Sequence, residues 1–464
     1  MNKIFASPEQ AVADIRDGAT IAIAGFSVGH RFATSLILAL REKGTKELCL
    51  VCNSLGDPGA TRGQILAESK QVKKLIAAFS VRPGTPTASE AQIAAGDMAV
   101  ELVPQGILVE RCRAGGAGIA AFYSPTSVGT ALTEGREIRD FDGKPHVLEQ
   151  AIRVDYAFLR GYRADRLGNV QFRGGSQNFN PSFAKAARVA IVEVDEIVEA
   201  GGIPPELVNL PGIFVSRVVK TTQTDDGKAW RRPERRPSDQ PRLYHGKPGL
   251  TRAGIAKRAA ALVKDGTYVN LGVGIPTMVS NYLRNRDVIL HAENGILGYG
   301  EMVTGEHEID PDIYNAAGQF VSLKPGASFF DSVTSFEMAR GGRIDTVILG
   351  AYEVDQAGSV ANWSTADAKR GGIGGAMDLL SGSGELIIVM EHSDSKGRPK
   401  LRRACTYPLT GKGCVNYVVT DLALLRWHAG RFVLDEVAPG FTPREVRELA
   451  EMEIAAGPDV RTME

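Results

Sequence analysis

One order of elements occurs twice in this chain. In the first half, Ser7 as N-cap, Pro8 at the first helical position and Gln10 at the third open a helix with Ala11, Val12 and Ile15 on one face. That helix stops at Asp17-Gly18; an apolar strand over 20–24, a glycine loop over 25–30 and a helix carrying Leu36, Ile37 and Leu40 up to Gly44 follow. In the second half, a helix with Ile255, Ala259, Leu262 and Val263 on its apolar side stops at Asp265-Gly266. A strand over 267–271, the loop 272–277 (G-V-G-I-P-T) and another helix repeat the order. Residues 154–172 and 344–363 match as well, each with an aspartate opening an apolar strand and a D-x-x-G turn behind it. The strands over 189–192 and 386–390 both run into a glutamate, Glu193 and Glu391.

Helices that alternate with apolar strands imply parallel sheets covered on both sides. The expected fold is α/β: two homologous open, mostly parallel-sheet domains with helices on both faces and the active site between them. Residues 1–220 form the first domain and 250–464 the second. Between them, 221–249 is rich in Pro, Asp and Arg, includes R-R-P-E-R-R-P at 231–237, and reads as an exposed linker. The matched segments are spaced more widely in the first half, which predicts an insertion within 60–115. Two copies of one fold in one chain suit a shared cleft.

Lys plus Arg equals Asp plus Glu at 54 each, so no global field favours nucleic acid or an anionic membrane. The N-terminal residues lack the apolar core of a signal peptide, and the longest mild stretch, 268–283, is broken by glycines, Pro276 and Asn281. A cytoplasmic location is expected, and five cysteines, an odd number, fit a reducing compartment. Cys49 and Cys52 form a C-x-x-C, but inside the apolar run L-C-L-V-C and without a second ligand pair, so they read as core and no metal site is expected.

Residues 288–300 read V-I-L-H-A-E-N-G-I-L-G-Y-G. Val288, Ile289 and Leu290 predict a strand buried on both faces, and Asn294-Gly295 predicts a turn, so Glu293 falls where a core strand ends. A carboxylate there is held rigidly at a sheet rim, where open α/β folds bind ligands. The other glycine-rich places complete neither the dinucleotide fingerprint nor a Walker lysine motif, and no triad or zinc spacing is present. What remains is an acid among backbone amides. That arrangement suits acyl transfer through a carboxylate nucleophile, with N–H groups holding the oxyanion.

At these residues the chain resembles the family I CoA-transferases, most closely the fused succinyl-CoA:3-oxoacid type. The resemblance rests on E-N-G at 293–295, G-V-G-I-P-T at 272–277, P-G-A-S-F-F-D-S at 325–332, A-N-W at 361–363, G-I-G-G-A-M-D-L at 372–379 and P-L-T-G at 408–411. In the first half it rests on P-Q-G at 104–106, A-G-G-A-G-I at 114–119, F-Y-S-P-T at 122–126 and F-R-G-G-S-Q-N-F-N-P at 172–181. The resemblance implies Glu293 as the nucleophile, passing through an acyl-glutamyl anhydride and a glutamyl-CoA thioester with ping-pong kinetics. It implies Gln105 and the Gly375 amide as oxyanion donors, and Gly272, Gly274, Ile275, Asn294 and Gly374 along the CoA arm. Phe26, His30, Arg82 and Ala117 fall in stretches implied to face the acceptor acid. The implied partners are acyl-CoA and a small carboxylic acid, with no metal or redox cofactor, in a homo-oligomer.

The first half departs from the family pattern at 24–33 (A-G-F-S-V-G-H-R-F-A) and at 81–86 (V-R-P-G-T-P), and Gln319 stands where a lysine is common. The acceptor is therefore left open between a 3-oxoacid and a related carboxylate, with His30 and Arg82 as groups for a second polar function. Two rival readings also remain at this point: a hydrolase, in which water resolves the acyl intermediate, and a ligand sensor without catalysis.

Overall fold

The structure, a computed structural model, describes residues 1–26, 31–56, 62–81, 86–223, 240–303, 309–365 and 370–463. His30, Arg82 and the run at 231–237 lie outside the described residues.

The first half builds one sheet around the strand Thr20–Ile23. On one side lie Leu48–Cys52, Val72–Ala77 and Ala99–Leu102; on the other lie Val154–Asp165, Ala187–Val198 and Arg217–Lys220, every neighbouring pair parallel. Alternation along the central strand sorts its side chains. Ile21 and Ile23 pack with Ala11, Leu36 and Leu40 on one face, while Ala22 packs with Ile107, Leu108 and Cys112 of the helix Gln105–Gly116 on the other. Helices thus cover both faces, and each Ile or Leu so buried contributes about 1.5–3 kcal/mol.

The second half repeats the plan around Thr267–Leu271. Val288–Ala292 lies on one side and Thr346–Gly350, Glu385–Val389 and Tyr417–Val419 on the other, again all parallel. The halves part company after the second strand. The first continues outward through the parallel strands Val72–Ala77 and Ala99–Leu102, both inside the insertion expected within 60–115. The second turns back at once into the antiparallel strands Ile296–Met302 and Val321–Phe329.

A common core joins the halves: Phe179 and Phe183 of the first pack in one cluster with Tyr314, Val333 and Phe336 of the second. Beside it Arg31 forks onto Asp312 through Nε and Nη2, both at 2.6 Å, and reaches Asp195 at 2.5 Å. Arg173 adds a bond to the same Asp312 at 3.1 Å. The stretch expected as linker ends in a hairpin, Leu243–Tyr244 with Lys247–Pro248, tied to the second half by Tyr244 Oη to Asp421 and Lys247 to Glu445. Cys49 and Cys52 lie in the strand Leu48–Cys52, as their apolar run predicts. Among the described residues no helix is long and apolar enough to cross a membrane.

Candidate active site

Glu293 occupies the turn of a β-hairpin. The strand Val288–Ala292 ends one residue before it, Ala292 pairs with Ile296 across the turn, and the Gly295 N–H closes it on the Ala292 carbonyl at 3.0 Å. Gly295 is required here: its φ is +110°, and a Cβ would run into the Phe330 carbonyl oxygen. The strand is not buried on both faces as expected, because Ile289 is 37% exposed; only its inner residues are covered. His291 anchors the hairpin from below. It is fully buried, contacts Asn270 and Ser335 at 3.0 Å through its two ring nitrogens, and burial holds its pKa down at about 4, so it stays neutral.

From that turn the carboxylate faces a cavity of about 740 Å³ lined by both halves. Gln105, Phe26, Gly272, Gly274, Ile275, Gly374 and Gly375 line it with Glu293. Gln105 comes from the first turn of the helix Gln105–Gly116, and its Nε2 donates to Asn53 Oδ1 at 2.8 Å. Opposite stands the glycine run 371–375, threaded along the first half. Ser80 N–H donates to the Gly371 carbonyl, Ile373 N–H to the Ala78 carbonyl, and Gln105 N–H to the Gly374 carbonyl at 2.9 Å. The glycines permit this close approach, since a Cβ at Gly372 would lie 2.6 Å from the Phe79 ring. A Cβ at Gly375 would overlap Glu293 Oε2.

Among the described residues the Glu293 carboxylate accepts no hydrogen bond, and the half-buried side chain lines the cavity. Burial first, and repulsion from Asp378 second, push its pKa from the ordinary 4.5 up to about 8. Asp378, fully buried on the helix Ala376–Leu380, is itself pushed up to about 6 by burial, against the opposing pull of Arg340 and of the Gly106 N–H. A carboxylate this basic, without hydrogen bonds and in a shielded cavity, is a strong nucleophile for an oxygen acid.

Two expected site residues fall elsewhere. Asn294 is fully buried behind the turn, does not line the cavity, and its Nδ2 donates to the Tyr314 carbonyl at 2.7 Å; successive side chains in so tight a turn diverge. Ala117 is exposed at the far end of the helix that begins with Gln105, about 18 Å away at 1.5 Å per residue. Its A-G-G-A-G-I motif serves packing, because a Cβ at Gly116 would lie 2.6 Å from Lys185 backbone. Sequence reasoning passed over Asn53, Asp378, Arg252 and Lys400, though all but Asp378 line the cavity. For Asp378 a signal existed, a single acid within the apolar end of G-I-G-G-A-M-D-L. For Lys400 there was none.

The coenzyme A transferase family model matches residues 5–221 and 253–449. Human mitochondrial succinyl-CoA:3-ketoacid coenzyme A transferase 2 is 40% identical over 495 residues, covering 100% of this chain and 92% of that protein. In Helicobacter pylori J99 the enzyme of the same name is divided between two polypeptides. One is 43% identical over 202 residues, covering 44% of this chain and 97% of its own length. The other is 42% identical over 222 residues, covering 47% of this chain and 93% of its own length. An acyl-CoA transferase from Escherichia coli O157:H7 has the same fold, with a TM-score of 0.80 at 22% identity over 100% of this chain and 95% of its own. The cytoplasmic location expected from the N-terminal residues, the lack of a membrane span and the cysteines is overturned, since the human, rat and mouse relatives aligned over 99% or more of this chain are mitochondrial enzymes. With the family model matched across most of both halves and a relative 40% identical along its whole length, the chain belongs to the coenzyme A transferase family, in its fused succinyl-CoA:3-oxoacid form.

Proposed function

We propose that this CoA-transferase moves CoA from succinyl-CoA to a 3-oxoacid or a closely related carboxylate, with Glu293 as the covalent carrier. The observation that carries the reading is the placement of Glu293: an unbonded carboxylate of raised pKa, in a cavity between the halves, with Gly375 against one oxygen.

A Glu293 oxygen attacks the thioester carbonyl, the C–S bond breaks and CoA thiolate leaves, giving an acyl-glutamyl anhydride. The thiolate then attacks the glutamyl carbonyl of that anhydride. A C–O bond breaks, succinate departs and a glutamyl-CoA thioester remains. The acceptor carboxylate runs both steps in reverse and restores Glu293. Each step forms one bond and breaks one, and none consumes water, a proton or a further cofactor. Every tetrahedral intermediate carries an oxyanion, for which the free N–H of Gln105 Nε2 and the Gly375 amide are the donors. Gly272, Gly274, Ile275 and Gly374 line the path of the CoA arm, and Phe26, stacked at 6.4 Å on Phe179, lies on the acceptor side.

Two domains over 1–220 and 250–464, joined by 221–249, are supported by the division of the Helicobacter pylori relative into two polypeptides, each matching less than half of this chain. The working form is a homo-oligomer, to be checked by light scattering. Intact-mass analysis after succinyl-CoA addition tests the chemistry. Wild type gains CoA on the peptide holding Glu293, and Glu293→Gln gains nothing. Thioester loss at the same rate with and without acceptor acid would mean hydrolysis instead.

A further inference from the structure

Two consecutive N–H groups at the start of the helix Gln105–Gly116 leave their own half. Gln105 N–H donates to the Gly374 carbonyl at 2.9 Å, and Gly106 N–H donates to Asp378 Oδ2 at 2.8 Å. These are groups a helix cannot satisfy internally, and both are met by the segment that presents Gly375. The other Asp378 oxygen accepts from Arg340 at 3.2 Å and from Thr126 Oγ1 at 3.4 Å. Arg340 in turn reaches Glu110, on the Gln105 helix, at 3.2 Å. The fit is tight, because a Cβ on Gly106 would lie 2.5 Å from Asp378 Cγ and 2.7 Å from Arg340 Nη1.

We infer that Asp378 is a positioning residue which holds the two oxyanion donors, Gln105 from one half and Gly375 from the other, in the register the reaction needs. It stands three residues beyond Gly375 and grips the residue after Gln105, so any slip between the halves at this point must break its bonds. The inference rests on the reading of Glu293, Gln105 and Gly375 above.

Its charge has a second effect. Repulsion between the Asp378 and Glu293 carboxylates disappears when Glu293 becomes a neutral anhydride or thioester, so the free enzyme is raised relative to the acyl-enzyme. Among the described residues, Asp378 is faced by Arg340 on the helix Ser332–Arg340 and, through it, Glu110, with Thr126 and the Gly106 amide as polar neighbours, while Gln105, Arg252, Glu391 and Lys400 line the cavity that Glu293 faces.

The test compares wild type, Asp378→Asn and Gly106→Ala by steady-state kinetics, by a pH profile of kcat/KM for succinyl-CoA, and by intact mass, with Tm measured alongside. Asp378→Asn should lower kcat about tenfold or more while KM for acyl-CoA stays within about twofold, and its acid limb should move to lower pH. Gly106→Ala, which keeps the charge but forces the contact apart, should lower kcat comparably. A kcat for Asp378→Asn within about twofold of wild type overturns the inference. So does a loss that merely follows a fall in Tm, with the acid limb unmoved. Should wild type itself gain no adduct on Glu293, the covalent reading fails; an adduct in wild type with an unimpaired Asp378→Asn removes only the positioning role.

Discussion

Replacing Gly375 by Ala separates the role of this glycine from ordinary turn geometry. Its φ is −94°, which any residue adopts, so the substitution carries no backbone penalty and acts through the added methyl alone. That methyl would lie 2.8 Å from Phe336 Cε1 and overlap Glu293 Oε2. Carbon–carbon contacts settle near about 3.5 Å, so roughly 0.7 Å must be found. Phe336 is 1% exposed and packed in the core shared by both halves, and it cannot give way cheaply. The carboxylate, open to the cavity on one side, is what moves. A displacement approaching 1 Å of a reacting atom costs on the order of 10²-fold in rate, and overpacking costs about 1–3 kcal/mol of stability. Steady-state assay with succinyl-CoA and acetoacetate should therefore show kcat down about a hundredfold, with a smaller change in KM. Mass analysis should show the glutamyl-CoA adduct forming slowly. If the alanine variant turns over within about threefold of wild type, Oε2 does not work from the position beside Gly375, and the geometry of the oxyanion site is wrong.

The pKa of Glu293 sets two pH dependences. The nucleophile is the anion, so kcat/KM for acyl-CoA should climb with pH and level off above about 8; a profile flat from pH 6 to 9 contradicts this. The raised value also means that the folded protein keeps its proton longer than the unfolded chain does. The associated stability is full below 4.5 and lost as pH rises through about 8, so Glu293→Gln should gain in Tm over wild type as pH rises from 5 to 9. Arg31→Ala removes the fork from Asp312, whose side chain is fully buried. Arg173 remains as a partner, so the loss falls at the low end of the range for a broken buried pair, about 3 kcal/mol, read by urea denaturation; an unchanged midpoint excludes the clamp.

The duplication was legible because strand periodicity and a paired Asp-Gly before the strand are local signals, although the helices themselves end earlier than expected, at Val12 and Ala260. The placement of Glu293 in a turn at the end of a strand was legible for the same reason: the strand, the acid and the turn lie within a few consecutive residues. Asn294 was misplaced because adjacency in sequence says nothing about which way a turn residue points, and here the two side chains part. Ala117 was misplaced because a glycine-rich motif serves close backbone packing as readily as ligand approach, and at Gly115 and Gly116 it serves packing. Asn53 and Lys400 depend on contacts between distant segments that no local pattern encodes, whereas Asp378 left a local signal that was passed over. The location failed for another reason: the lack of a secretory signal core and of a membrane span, with an odd number of cysteines, does not single out the cytoplasm among reducing compartments.

The two halves share a plan, yet Glu193 and Glu391 meet different surroundings. Glu193 follows its strand into the interior, where it is fully buried and accepts the N–H groups of Ser35 and Leu36 at 2.9 and 3.2 Å. Arg160 at 2.9 Å and Thr221 at 2.7 Å complete its shell. The start of the helix Thr34–Lys43, where an anionic ligand would bind in a fold of this kind, is thus already supplied with a carboxylate. Glu391, two residues beyond the end of the strand Glu385–Val389, turns instead to Arg252 at 2.6 Å on the cavity wall, and the loop 272–274 lines the same cavity. The first half lines the cavity through Phe26, Asn53, Phe79 and Gln105. The second lines it through Gly272, Gly274 and Glu293, which sits in the turn after the strand Val288–Ala292. A duplicated fold thereby yields one cavity lined by both copies, so the contacts fixing the halves against each other bear on its shape as well as on stability.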